Sequence, residues 1–411
     1  MLRFVRRDTE GDSMASIIDY VRGTTDSFAE RGLSRVDSLI FSWLAYVRYP
    51  DDSPVRSREG QPLREAFGFG GLTGMTAPLH GPRETEALLE ALAESPRFKD
   101  VIASLHYEKS SKVEEQQFAA ICFLLPDGLG TYVAYRGTDN TLIGWKEDFN
   151  MAFSAAVPAQ VTAGAYVLLA AETFAGPLYA GGHSKGGNLA VYATLKCGDG
   201  VRSRIVRCFS HDGPGLSEAC TADPAWPATA ALVDKTVPEE SIIGLIFEGR
   251  EIPLVIVRSS NPGLLQHAPF SWEIEGTDFD IQRAVSYDAY KTGKRINSWL
   301  KTMDGAGRER FVEILYKLVQ ASGEVTFSGL SSSLENGSLS LMLQKLDNMS
   351  DEDRGFFTDR LSDLVATILL GPAPKKAVTP AEKVAAASDR IDDATARFND
   401  RLAEIDRLAG L

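Results

Sequence analysis

Gly182-His183-Ser184-Lys185-Gly186 stands between an apolar run, Pro177-Leu178-Tyr179-Ala180, and a helical pattern, Asn188-Leu189-Ala190-Val191-Tyr192-Ala193. A Gly-x-Ser-x-Gly segment in that position reads as a nucleophile elbow, a sharp turn from strand to helix that projects a serine hydroxyl. A serine hydroxyl is a poor nucleophile until a base takes its proton, so the turn must present it where base and substrate can both reach. The flanking glycines let the turn close without Cβ clashes. The residue after the serine opens the helix, which aims the Lys185 amide at the place where an oxyanion would form. The pattern alone is weak in a chain with 36 glycines. The strand before it, the Gly186-Gly187 pair and the aliphatic helix after it make it specific. A phosphate-cradling loop fits worse, because that motif needs Gly-Lys-Ser/Thr in order and here Lys185 follows the serine.

Outward from this turn, strands and helices alternate. Strands are expected at 118–125, 131–135, 178–182, 204–209, about 230–237 and 253–258, with helices at 156–173 and 187–196. Pro126-Asp127-Gly128 is hairpin turn chemistry between the first two strands. The rhythm predicts an α/β fold, a mostly parallel sheet with helices on both faces, whose chemistry gathers at the carboxyl ends of strands. Before it, residues 15–48 read as two helices, Phe67 to Gly74 as an irregular loop, and about 84 onward as a helix that His106 closes.

After about residue 285 the pattern turns helical. Phe311, Ile314, Leu315, Leu318 and Val319 form one stripe, and Leu361, Leu364, Val365, Ile368 and Leu369 another after the start signal Ser350-Asp351-Glu352-Asp353. The chain therefore divides into a catalytic domain at 1–290, a helical extension at 291–370, a linker at 371–380 and a final amphipathic helix at 381–411. In that last helix Val384, Ile391, Phe398 and Ile405 lie on a heptad seam, which suits a coiled-coil partner, either a second copy or another protein, or a helix docked on its own domain.

Composition narrows the function. The 411 residues, 44% hydrophobic, suffice for a sizeable core. Lysine and arginine number 43 against 56 acidic residues, a net charge of −13, which argues against a nucleic-acid binder because phosphate neutralisation needs a basic face. Cys122, Cys197, Cys208 and Cys220 show no Cys-x-x-Cys spacing and no histidine partners at zinc intervals, so no metal or cofactor is implied and buried thiols are expected. The arginine-rich start, Met1 to Arg7, lacks the apolar core of a signal peptide, and no segment approaches the roughly 18 apolar residues of a membrane span. A soluble cytoplasmic protein is the expectation.

Only five histidines are available as a general base. His80 precedes the sheet, and His183 belongs to the turn itself and is expected to point elsewhere. His106, at the end of the expected helix, is set aside as well, and of the remaining pair His267 is favoured over His211, because it follows the strand Leu254 to Val257 and a return loop that brings it back over the strand ends. The acid has two candidates. Asp212, in Ser210-His211-Asp212-Gly213-Pro214-Gly215, stands at the end of the strand beside the elbow. Glu240, with Glu239, follows the next strand and is the alternative acid. A second oxyanion donor is sought at Thr138, in Tyr135-Arg136-Gly137-Thr138-Asp139, to act with Lys185.

These segments together resemble the class 3 lipases. Val133 to Thr138, followed by Gly144-Trp145-Lys146-Glu147-Asp148, is similar to that family's apolar-Phe-Arg-Gly-Ser/Thr segment and its continuation, and Gly181 to Gly187 to its elbow. A bacterial lipase class 3-like family of unknown function, grouped with the α/β-hydrolase superfamily, is closer still. Its pattern resembles Ile17 to Tyr20, Val36 to Ile40, Gly182 to Ala190, Asp212 to Gly215, Val237-Pro238 through Gly244, and Gln266-His267 through Trp272. The likeness covers roughly residues 15 to 290. It implies an α/β-hydrolase fold, Ser184 as nucleophile, His267 as base, and Thr138 with Lys185 as oxyanion donors. This chain departs from the lipases in lacking a clear aspartate after the next strand and in a short lid segment.

The expected activity is therefore a serine hydrolase that cleaves carboxylic esters, lipid acyl esters among them, through Ser184, His267 and Asp212. Two alternatives stay open: a hydrolase-like scaffold with an idle triad that binds a partner through its C-terminal helices, and an acyltransferase or thioesterase using the same residues.

Overall fold

Tyr132 and Ala134 pack on one side of their strand, Val133 and Tyr135 on the other, and all four are fully buried. A strand covered on both faces needs a layer of helices on each. The computed structural model, which describes residues 15–68, 70–77, 79, 81–111, 116–138, 156–247, 251–321 and 344–370, has that architecture. Its main sheet runs, among the described residues, in the order β1 (Gln61–Pro62), β2 (Ile102–Ser111), β3 (Gln116–Leu125), β4 (Gly130–Tyr135), β5 (Leu178–His183), β6 (Ile205–His211), β7 (Val233–Pro238), β8 (Leu254–Val257) and β11 (Ile281–Gln282). β9 (Ile274–Glu275) and β10 (Asp278–Phe279) form a separate ribbon. Strands β4 to β8 are mutually parallel, and antiparallel pairs extend the sheet at both ends.

On one face lie α1 (Ile17–Gly23), α2 (Arg35–Leu44) and α3 (Pro82–Glu94), whose apolar side chains meet Ile121, Phe123, Tyr132 and Phe209. On the other lie α4 (Pro158–Thr173) and α5 (Lys185–Lys196), over Cys122, Val133, Tyr135 and Cys208. The first two helices begin with reciprocal caps, Ser16 with Asp19 and Ser34 with Asp37, which satisfy backbone amides that have no partner within the helix. Asp37 does more than cap. Its carboxylate meets Arg97 at 2.6 Å with both side chains fully buried, and the Arg97 guanidinium also donates to the carbonyls of Asp26, Ser27, Arg31 and Gly32. One arginine thus ties the loop between α1 and α2 to the segment after α3.

Two expectations need correction. His106 does not close a helix; it lies within β2. Period-two alternation is broken there by a register shift between Ser104 and Tyr107, with Leu105 at a φ of 52°, and the far half of the strand is polar. The Phe67 to Gly74 stretch is partly regular, bounded by short helices at Leu63–Phe67 and Thr73–Thr76. All four cysteines are buried and none forms a disulfide among the described residues, and burial pushes the Cys122 and Cys208 thiols up to about 12.

Three further helices, α6 (Tyr287–Leu300), α7 (Gly305–Ala321) and α8 (Asp351–Leu370), assemble a small core of their own around Trp299, Phe311 and Phe357. No described helix is long and apolar enough to cross a membrane. The linker and heptad-bearing helix expected at 371–411 lie outside the described residues, as does the Gly144 to Asp148 segment.

Candidate active site

Strand β5 ends at His183 and α5 begins at Lys185, so Ser184 alone makes the turn, at φ 59° and ψ −130°. A serine held in that region costs on the order of 1–3 kcal/mol and persists only where its surroundings impose it. The surroundings here do so. The Ser184 amide donates to the His211 carbonyl of β6 at 2.9 Å, and its own carbonyl accepts the Gly187 amide at 2.9 Å to start the helix. A Cβ on Gly182 would collide with the Gly186 backbone, and one on Gly186 with the Tyr135 carbonyl, so glycine is required at both for β4, β5 and α5 to approach this closely.

The Lys185 amide sits at the N-terminus of α5, as the sequence predicts, while its side chain is buried and donates from Nζ to the Gln117 carbonyl at 3.0 Å. Thr138 follows Gly137, which packs against the elbow so tightly that a Cβ there would lie 2.6 Å from the His183 carbonyl oxygen. Before it, Arg136 pairs with Glu108 at 2.6 Å.

Asp212 follows the last residue of β6 with a φ of 49° and is almost wholly buried. Its amide donates to the Thr236 carbonyl at 2.7 Å. Oδ2 accepts from Nδ1 of His267 at 2.7 Å. Oδ1 accepts from the Ser241 hydroxyl and from the Gly244 amide, the latter at 3.1 Å. Three donors therefore converge on one carboxylate, which fixes its orientation. Nearby Lys235 is buried on β7, and that burial pulls its ammonium down to about 7 against the opposing pull of the Asp212 charge.

The alternative acid has another task. The Glu240 carboxylate accepts from the Gly263 amide, and the Glu240 amide donates to Oε1 of Gln266 at 2.8 Å. Both bonds clamp the loop and short helix, Gly263–His267, that carry the imidazole. His211 is fully buried on β6, with Nε2 against the Ser38 hydroxyl at 2.9 Å, and burial pushes it down to about 3. His267 is more open, with 29% of its side chain exposed.

His183 does not point away from the site, as its place before the serine suggests. Its Nε2 meets the His267 carbonyl at 2.8 Å, and the two imidazoles face each other with centroids 4.6 Å apart. His267 is thus bonded to Asp212 after β6 and packed on His183, the residue before Ser184, at the end of β5. Among the described residues the Ser184 hydroxyl itself makes no hydrogen bond. Ser241, Gly244, His183 and Gln266 are the supporting residues that motif reading does not single out as such. Only the Ser-x-x-Gly run after β7, with hydroxyl and amide one turn apart, carries a local signal of carboxylate binding.

By fold and by these side chains, the molecule is an α/β protein with a His267–Asp212 pair and a serine at a strand-to-helix turn at the ends of parallel strands. A family model described as Mbeg1-like matches residues 92–317, a span containing all three. The chain belongs to the Mbeg1-like family, which is related to lipase class 3-like proteins. No curated protein and no solved structure matches it.

Proposed function

We propose that the protein is a serine hydrolase of carboxylic esters, lipid acyl esters among them, built on the α/β-hydrolase plan. The observation that carries this reading is the 2.7 Å bond from His267 Nδ1 to Asp212 Oδ2 beside a serine held at φ 59°. A carboxylate on Nδ1 leaves Nε2 as the basic nitrogen and stabilises the imidazolium that forms when a proton arrives. Ser184 Oγ attacks the ester carbonyl as Nε2 takes its proton. The resulting oxyanion is held by the Lys185 amide at the helix N-terminus and by Thr138. Collapse breaks the bond to the alkoxide, which leaves with the proton from His267. Water then repeats the sequence on the acyl-enzyme, restoring Ser184 and releasing the acid.

The Ser184 hydroxyl, which makes no hydrogen bond among the described residues, favours a competing reading, a scaffold whose triad is idle. In unliganded enzymes, however, such bonds are commonly long and tighten when substrate binds. A fluorophosphonate probe separates the two. The hydrolase reading expects stoichiometric labelling of the wild-type protein and none of Ser184→Ala. An unlabelled wild type, or equal labelling of both, supports the scaffold.

A further inference from the structure

We infer that His183 is a positioning residue for the general base, a neutral imidazole that latches the backbone and ring of His267 to the end of β5; the inference rests on the reading of His267 as that base. The bond at Nε2 is to a carbonyl oxygen, which only accepts, so Nε2 carries the hydrogen. Nδ1 is then an acceptor, and the Tyr46 hydroxyl lies 3.3 Å from it and 3.2 Å from the His183 carbonyl oxygen. Tyr46 is buried just beyond α2, so the ring is gripped between the helix layer and the loop. His183 is 3% exposed, and burial, reinforced by the His267 charge, keeps its pKa well below the ordinary histidine value. A ring that stays uncharged can face the imidazolium without repelling it.

The latch matters because the loop is exposed on the side that precedes the base. Leu265, two residues before the base, is 64% exposed. Its remaining ties act on neighbours of His267: Trp272 Nε1 donates to the Gln266 carbonyl at 2.7 Å, and Glu240 holds Gly263 and Gln266. Asp212 fixes the imidazole's rotation through Nδ1, and His183 fixes the carbonyl of the same residue, two constraints from different strands. Positioning of this kind governs rate steeply, since a misplacement of about 1 Å costs on the order of a hundredfold.

The test compares His183→Met, which keeps length and loses the donor, with His183→Gln, whose amide nitrogen reaches a similar depth and restores it. Tyr46→Phe is a milder third variant that leaves the donor in place but frees the ring. Two readouts are taken on folded protein: the downfield proton resonance of the His267 Nδ1–H bond, and the fluorophosphonate labelling rate across pH. The expected result is loss or broadening of that resonance in His183→Met, a labelling rate lower by about 10- to 100-fold, and recovery of most of both in His183→Gln. Tyr46→Phe should move both in the same direction by less. A wild-type resonance and labelling rate in His183→Met overturns the inference, and so does equal loss in Met and Gln variants, which would mean that ring volume alone matters. The resonance is read without turnover, so an unreactive wild type would defeat the hydrolase reading while the latch was still decided by the spectrum.

Discussion

At the scale of the residue, Asp212 and Glu240 differ in what each carboxylate touches, Asp212 the His267 ring and Glu240 the Gly263 amide, and kinetics can read the difference. Asp212→Asn should lower the acylation rate by about a thousandfold to ten-thousandfold, with KM changed little, because the amide cannot hold the imidazole in its productive tautomer. Glu240→Gln should cost less than about tenfold, since the amide oxygen still accepts from the Gly263 amide. Comparable losses in both would count against the assignment. The placement of Ser184, Asp212 and His267 after strands is legible in the sequence, because each follows a recognisable strand and the elbow has a local pattern. Ser241, Gly244 and the latch at His183 are not, because their role depends on which loops meet in space. A second prediction concerns His106, buried beside the Tyr49 ring at 4.8 Å with neither ring nitrogen bonded among the described residues. Burial pushes it down to about 3, from an ordinary 6.5. The unfolded chain therefore takes a proton that the folded one refuses, so this contribution to stability is full above about pH 6.5 and is lost as pH falls toward 3. His106→Phe should leave stability at neutral pH unchanged or raised, and should flatten the acid loss measured by urea midpoints. A large neutral-pH loss with an unchanged acid slope would show that the ring nitrogens are satisfied after all.

At the scale of the element, helices announce themselves by period and caps, and α2 is readable from Leu39, Ile40, Trp43 and Leu44. Its ion pair is not, because Asp37 and Arg97 are 60 residues apart and only the folded chain places one on the other. Removing one partner of a fully buried pair leaves an uncompensated charge. Arg97→Met should accordingly cost about 3–5 kcal/mol in denaturant unfolding, far more than loss of the exposed pair Arg360–Asp363. A loss below about 1 kcal/mol would mean that Asp37 finds water or another donor. The hidden strand β2 teaches the same lesson from the other side: a bulge at Ser104 to Tyr107 and a polar end erase the alternation by which a strand is recognised.

At the scale of the whole molecule, the α/β layers and the helical change after residue 285 are both legible, whereas the docking between them is not. The C-terminal helices meet the sheet layers through apolar packing of Ile246 and Phe247 on their core and through hydrogen bonds. Asn297 donates from Nδ2 to the Leu245 carbonyl and accepts the Phe247 amide, each at 2.8 Å, and the Ser286 amide donates to the Glu239 carbonyl at 2.6 Å. Asn297→Ala removes two of these bonds, and amide exchange in α6 to α8 should accelerate while β4 to β7 keep their protection. Equal acceleration in the sheet would make the helices part of one cooperative unit. Because Ser241 and Gly244, which hold Asp212, lie in the loop that ends at these contacts, the same variant links the extension to the site. The most direct measurement of the central claim is a pre-steady-state burst with a short p-nitrophenyl ester, combined with mass spectrometry of the quenched protein. The account predicts one equivalent of released phenol per chain in the burst and the acyl mass on the peptide containing Ser184. No burst, or an acyl group carried on any other residue, would contradict it.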